Sequence, residues 1–109
     1  MDDQLFRDRA DASINQLKKA LYTAEESADF EVEEQHGVLN LVFEDPPAKF
    51  VVTPNAPVKQ IWISARATSF KLDWSDEAND FVFPKTGENL KKLVARLANE
   101  QLGEEVVSL

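Results

Sequence analysis

The stretch VKQIWIS, residues 58–64, has the alternation of a strand in a sheet that is covered on one side only. Successive side chains of a strand point to opposite faces, so Ile61 and Ile63 share one face and Trp62 lies on the other. Gln60 shares the face of Trp62, so the pattern places the largest apolar side chain of this strand in a polar row. A strand tryptophan is more commonly part of the core, and this position therefore calls for an explanation.

Outside this stretch, the sequence predicts one helix at each end and strands between them. Apolar residues recur at helical spacing from about Asp3 to Thr23, and again after Thr86, which we take as an N-cap, as far as Gly103. The segments between the helices have the lengths and compositions of short strands. We predict six of them, at residues 30–34, 38–43, 49–53, 59–65, 69–74 and 80–83.

The predicted connections are short. His36-Gly37 is a plausible hairpin turn. We expect residues 44–48, which contain two prolines, and residues 54–57 to be connections in which no strand continues. Short connections favour antiparallel pairing.

Each predicted helix has a single apolar stripe, and both stripes are buried most simply on one sheet face. The sequence thus predicts an α+β fold of the α/β sandwich type. Two terminal helices would pack on one face of a roughly six-stranded antiparallel sheet, in the order α-β-β-β-β-β-β-α. The length of 109 residues suits one domain, residues 1–109. Trp62 would project from the uncovered face.

Composition excludes several classes of function. The chain has no cysteine and one histidine, so thiolate metal sites, cysteine nucleophiles and Ser/His/Asp catalysis lack their parts. A net charge of −8 disfavours nucleic acid as a partner. No apolar stretch is long enough to span a membrane and no signal peptide is recognisable, so we expect a cytoplasmic protein.

The negative charge is concentrated in one part of the chain. No Lys or Arg occurs between Ala20 and Ala48, a segment rich in carboxylates. Strand alternation places Asp29, Glu31 and Glu33 on one side, about 6–7 Å apart. Oxygen ligands at this spacing suit a loosely held, hydrated divalent cation, although a solvated acidic face explains the same residues. The acidic ridge, as we call it, comprises Glu25, Glu26, Asp29, Glu31, Glu33 and Glu34.

Several motifs in order resemble the frataxin family, most closely its bacterial, CyaY-like branch. APVKQIWIS, residues 56–64, is similar to the family's Pro and Gln-ϕ-Trp-ϕ-Ser motif, with Trp62 at the family's tryptophan. GVLNLVFED (37–45), KLDW (71–74) and FVFPKTGENLKKL (81–93) resemble the second strand, the end of the fifth strand and the entry to the last helix. The resemblance covers nearly the whole chain.

The resemblance implies an iron-binding accessory protein of iron–sulfur cluster assembly. It implies weakly held Fe²⁺ or Fe³⁺, no organic cofactor, and docking on the cysteine desulfurase and its scaffold protein. The metal residues it implies here are Glu25, Glu26, Asp29, Glu31 and Glu33. Bacterial frataxins also carry acidic residues at helix positions matched here by Lys18, Lys19, Tyr22 and Thr23, so the helix part of that site is not expected in this chain.

For partner binding, the resemblance implies contact through Trp62, and we expect Gln60, Ser64 and Asn40 to form a polar rim around it. We expect no enzymatic activity and no catalytic residues, because exposed carboxylates without supporting histidines do not make a ferroxidase centre. We expect a monomer, with iron-dependent self-association left open. The alternative function is a metal-independent acidic module that binds other proteins.

Overall fold

The computed structural model describes all 109 residues and contains two α-helices, six strands and one short 3-10 helix at Ala56–Val58. It confirms the predicted order of elements. The helices are α1, Asp3–Ala24, and α2, Leu90–Leu102. The strands are β1 (Glu31–Gln35), β2 (Val38–Glu44), β3 (Pro47–Asn55), β4 (Gln60–Ala65), β5 (Thr68–Ser75) and β6 (Asp80–Val82).

The six strands form one antiparallel sheet in sequence order, and both helices bury their apolar stripes against the same face. Ile61 and Ile63 are fully buried in this core with Leu17 of α1 and Leu93 of α2. Burial of such side chains supplies the main driving force for the fold. The predicted sandwich is therefore confirmed. Neither helix is long and apolar enough to cross a membrane.

The hairpin turns decide the register of the sheet. His36 and Gly37 have φ of 55° and 78°, as a two-residue turn with two left-handed positions requires, and they pair Gln35 with Val38. Arg66 and Ala67 form the corresponding turn between β4 and β5, with φ of 52° and 62°. The first turn was predicted from its sequence, whereas the second lacks the glycine that would have indicated it.

Two proline-containing segments differ from the prediction, because β3 starts within the first and ends within the second. Pro47 is the first residue of β3 and pairs with Glu44, so the connection is shorter than residues 44–48. Pro54 pairs with Ile61, beyond the point where pairing of β3 with β2 ends at Val52. A proline has no backbone N–H to donate to a neighbouring strand. Pro47 lies at the start of β3, and Pro54 has no partner on the β2 side, so the missing donor is tolerated at both positions.

The start of α2 also differs from the prediction. Asn89, not Thr86, is the N-cap, and its side chain accepts a hydrogen bond from the backbone N–H of Lys92. Thr86 instead accepts from the N–H of Glu88 within the preceding turn. Gly103 ends the helix in the left-handed conformation, as predicted.

Candidate functional site: the uncovered sheet face and the acidic ridge

Trp62 lies on the sheet face that no helix covers. Its register neighbours are Thr53 on β3 and Lys71 on β5, whereas Ile61 and Ile63 on either side of it are buried under the helices. The face predicted from alternation is therefore confirmed. An aromatic side chain in this position is a candidate anchor for a binding partner.

Two neighbours hold the indole of Trp62 in place. Its Nε1–H donates to Oε1 of Gln60 at 2.8 Å, and Nε2 of Gln60 donates in turn to Asp73 at 2.9 Å. The ammonium of Lys71 lies 4.7 Å from the centroid of the ring, within the range of a cation–π contact. The place of Trp62 on an open face predicts a substantially exposed side chain, and this prediction is wrong, because these contacts leave the indole half-buried and held in a defined orientation.

The predicted polar rim is only partly accessible. Ser64 is exposed and Gln60 is half-buried, but Asn40 has an accessible fraction of only 9%. Asn40 lies on the expected face, in a central strand between Glu33 of β1 and Val51 of β3, and these neighbouring strands limit its exposure. Contrary to the prediction, Asn40 therefore contributes little to an accessible rim around Trp62, although it lies on the predicted face of the sheet.

The acidic ridge forms one wall of a small cleft beside β1. Glu31 and Glu33 project from the uncovered face, since they pair with Val42 and Asn40 of β2, while Glu26 and Asp29 are exposed in the loop after α1. The cleft has a volume of about 250 Å³. Its lining residues are Glu25, Ala28, Asp29, Phe30, Glu31, Val42 and Glu44.

Glu44 is a cleft carboxylate that sequence reasoning missed. It lies two residues beyond Val42, the partner of Glu31, and so the β1–β2 register brings it to the cleft. The only sequence signal was its place in the long segment without Lys or Arg, together with the strand alternation of β2. Glu26 and Glu33 do not line the cleft.

Two carboxylates of the ridge already have partners within the protein. Glu25 Oε2 accepts the backbone N–H of Val32 at 2.9 Å, and Glu34 Oε2 lies 3.0 Å from Nζ of Lys18. We expect α1 to contribute nothing to a cation site, partly because Lys18 occupies a position that is acidic in bacterial frataxins. In the structure, Lys18 forms an ion pair with Glu34 of the acidic ridge. His36 lies at the hairpin turn and is exposed.

No three Asp, Glu or His side chains lie close enough together to hold a metal ion. The cleft carboxylates are donors of the right chemistry for a hard cation, but they do not form a closed cage. What the arrangement offers is a region of negative potential with a few adjustable oxygen donors. Such a region attracts hydrated cations and basic side chains alike.

An ion-pair network centred on Arg96 involves residues of neither region. Nε and Nη2 of Arg96 donate to the two carboxylate oxygens of Glu88 at 2.8 and 2.9 Å, and Nη1 donates to Glu100 at 2.9 Å. The hydrogen bonds from Arg96 hold the pKa of Glu88 below its ordinary value, and those from Arg96 to its two partners raise the pKa of the guanidinium. This network joins the turn before α2 to the helix and indicates a structural role.

Comparisons with known proteins agree with the fold. A family model described as a frataxin-like domain matches residues 1–104. The chain is 30% identical over 95 residues to the iron-sulfur cluster assembly protein CyaY of Azotobacter vinelandii, covering 85% of this chain and 86% of the relative. Its identity to the protein of the same name from Dechloromonas aromatica is 34% over 107 residues, with 98% of each chain covered.

The same architecture is found in a solved structure, that of frataxin from Psychromonas ingrahamii. The two structures superimpose with a TM-score of 0.74 over 97% of this chain and 96% of the other. At 21% sequence identity, this likeness supports the fold.

Proposed function

This chain belongs to the frataxin-like family, and we propose on that premise that it is an accessory protein of iron–sulfur cluster assembly. Relatives covering nearly the whole chain carry the name iron-sulfur cluster assembly protein, which supports this proposal. We propose that it acts by binding proteins and iron in the cytoplasm, and not as an enzyme. A monomer of this size presents two surfaces for such contacts, the Trp62 face and the acidic ridge.

The observation that carries the proposal is the position of Trp62 on an uncovered sheet face. The indole is oriented by Gln60 and Lys71, so little conformational entropy would be lost when a partner covers it. Large aromatic side chains held in this way are typical of binding hot spots. We propose that this face docks on the complex of cysteine desulfurase and scaffold protein.

We propose that ferrous iron is bound weakly as cargo at the acidic ridge. Glu25, Glu26, Asp29, Glu31 and Glu33 are the proposed donors, and Glu44 joins them because it lines the cleft with Glu25, Asp29 and Glu31. Carboxylate oxygens suit a hydrated ferrous ion, and the absence of a closed cage favours easy release. Whether iron causes self-association is a separate question, which is answered by the Fe²⁺ titration described below.

A second candidate is a metal-independent acidic module. Three observations favour it: no three carboxylates lie close enough together to hold a metal ion, Glu25 accepts a backbone N–H, and Glu34 is paired with Lys18. In this case the ridge would contact basic surfaces of a partner directly.

Two measurements on the whole chain test these proposals. The first is an anaerobic Fe²⁺ titration followed by NMR and ultracentrifugation, in which we expect perturbation of amides in residues 25–34. The second is binding to an immobilised bacterial desulfurase–scaffold complex, for which we expect saturable association. Binding to the complex without iron binding would favour the second candidate, and binding to neither would contradict both.

A further inference from the structure

The two edges of the sheet are closed in different ways. At the β6 edge, the chain itself supplies backbone partners: Val82 bridges to Asn89, and the N–H of Phe83 donates to the carbonyl of Glu88 at 2.8 Å. At the β1 edge, no other segment pairs with the strand. An open edge of this kind is a template for an additional strand.

The register shows which β1 amides face outward. Gln35 and Val38 flank the two-residue turn and form a hydrogen-bonded pair. Hydrogen-bonded and non-hydrogen-bonded pairs then alternate, so the backbone groups of Val32 and Glu34 point away from β2. The N–H of Val32 is accordingly free to donate to the side chain of Glu25, at 2.9 Å. A single carboxylate thus occupies the position that the carbonyl of an added strand would take.

The charge of the edge decides what kind of strand fits. β1 carries Glu31, Glu33 and Glu34, so pairing with a second copy would bring carboxylates against carboxylates across the strands. The cleft that contains Glu25 and Glu44 adds further negative charge at one end of the edge. An extended segment with alternating basic side chains would satisfy both the backbone groups and the charges.

We propose that the β1 edge binds an extended basic segment of a partner protein as a seventh strand, and that Glu25 occupies the Val32 amide until that segment displaces it. This surface is distinct from the Trp62 face, and it shares Glu25, Glu31, Glu33 and Glu34 with the acidic ridge. The proposal stands independently of the function proposed above, because it rests on the backbone geometry of β1 and on its charge.

The probe is a synthetic peptide of alternating Lys and Val, blocked at both ends, titrated against the whole chain by calorimetry and NMR. We expect the outward amides of Val32 and Glu34 to gain protection from hydrogen exchange, while that of Glu33, already bonded to β2, is unchanged. Glu25→Ala removes the competing carboxylate and should tighten binding about threefold or more, despite the loss of one negative charge.

The matched control is Glu26→Ala, which removes an exposed carboxylate from the same loop and should weaken binding slightly. Glu25→Gln keeps an acceptor oxygen for Val32 and should not tighten binding. The proposal is overturned if Glu25→Ala weakens binding as Glu26→Ala does, since charge alone would then explain the affinity. It is also overturned if the peptide does not bind, if a version with alternate backbone nitrogens methylated binds equally well, or if Glu25→Ala self-associates without peptide.

Discussion

Lys18 and Glu34 join the last turns of α1 to the edge strand β1, with 3.0 Å between Nζ and Oε2. The pair is partly shielded, with 23% of the lysine and 37% of the glutamate side chain accessible. The pair gives the lysine at the border of the acidic ridge a partner of opposite charge. It also removes one carboxylate from the set that is available to a cation.

Lys18→Ala should therefore strengthen the binding of a divalent cation at the ridge. Without its partner Glu34 becomes available, and we expect the affinity for Co²⁺, used as a stable substitute for Fe²⁺, to rise about twofold. Lys19→Ala is the matched control. Lys19 is the next residue along α1, its side chain is exposed and it forms no ion pair, so the variant removes the same charge without freeing a carboxylate. Equal changes in the two variants, measured by NMR titration, would show that only net charge matters.

The β4–β5 turn should be strained at Ala67. This residue has φ of 62°, a conformation that costs an L-residue about 1 kcal/mol and costs glycine almost nothing. We expect Ala67→Gly to raise the free energy of unfolding by about 0.5–1 kcal/mol. Ala78→Gly, at an exposed position where φ is not positive, should lower it slightly. Urea unfolding of both variants measures these changes in the free energy of unfolding. If Ala67→Gly destabilises the protein, the backbone at Ala67 is not strained.

The Glu88–Arg96 pair should make stability depend on pH in the acid range. The pKa of Glu88 is lowered in the folded protein from an ordinary value of 4.5, so its contribution is fully present above that pH. The contribution is lost as the pH falls through the lower, folded-state pKa. Glu88→Gln should cost about 0.5–1 kcal/mol at pH 7, since the guanidinium makes two hydrogen bonds to a largely shielded carboxylate.

The difference between the parent protein and Glu88→Gln should then shrink as the pH is lowered below 4.5. Urea midpoints measured in steps from neutral pH downward test this directly. Glu104→Gln, at an exposed position with no ion pair, should leave the midpoint nearly unchanged at every pH. A constant difference for Glu88→Gln across the series would mean that the ion pair is not its cause.

The fold could be predicted because local periodicity and the burial pattern agree. Leu17 and Leu21 of α1 and Leu93 and Leu97 of α2 are all buried at the positions that their spacing indicates. The errors arose where a local rule depends on tertiary neighbours. Pro54 continues a strand because one of its flanks has no pairing partner, and this cannot be read from the proline itself.

The candidate site could be predicted as faces, but not as contacts. Alternation placed Trp62 and Glu31 correctly, since it depends only on the chain within one strand. The approach of Lys71 to the indole and of Glu44 to the ridge depends on the cross-strand register, which the turns set. The bond from Val32 to Glu25 required the position of the helix end relative to the sheet edge.

Trp62→Ala should cost the fold less than a core substitution would. The ring is half-buried and makes one cation–π contact and one hydrogen bond, so we expect a loss of about 1–2 kcal/mol. Ile63→Ala, one residue along and fully inside the core, should cost about 2–5 kcal/mol. Thermal and urea unfolding of the two variants compare the two faces of the same strand. A larger loss for Trp62→Ala would assign its main role to folding.

The most direct test of the account is the affinity of Trp62→Ala for the desulfurase–scaffold complex, measured at a temperature where the variant is fully folded. Loss of an aromatic anchor commonly costs about 2 kcal/mol or more, so we expect binding to weaken by about thirtyfold. Val58→Ala, which truncates an exposed apolar side chain outside the strands, serves as the control and should bind like the parent. If Trp62→Ala binds the complex as tightly as the parent protein, the uncovered sheet face is not the docking surface.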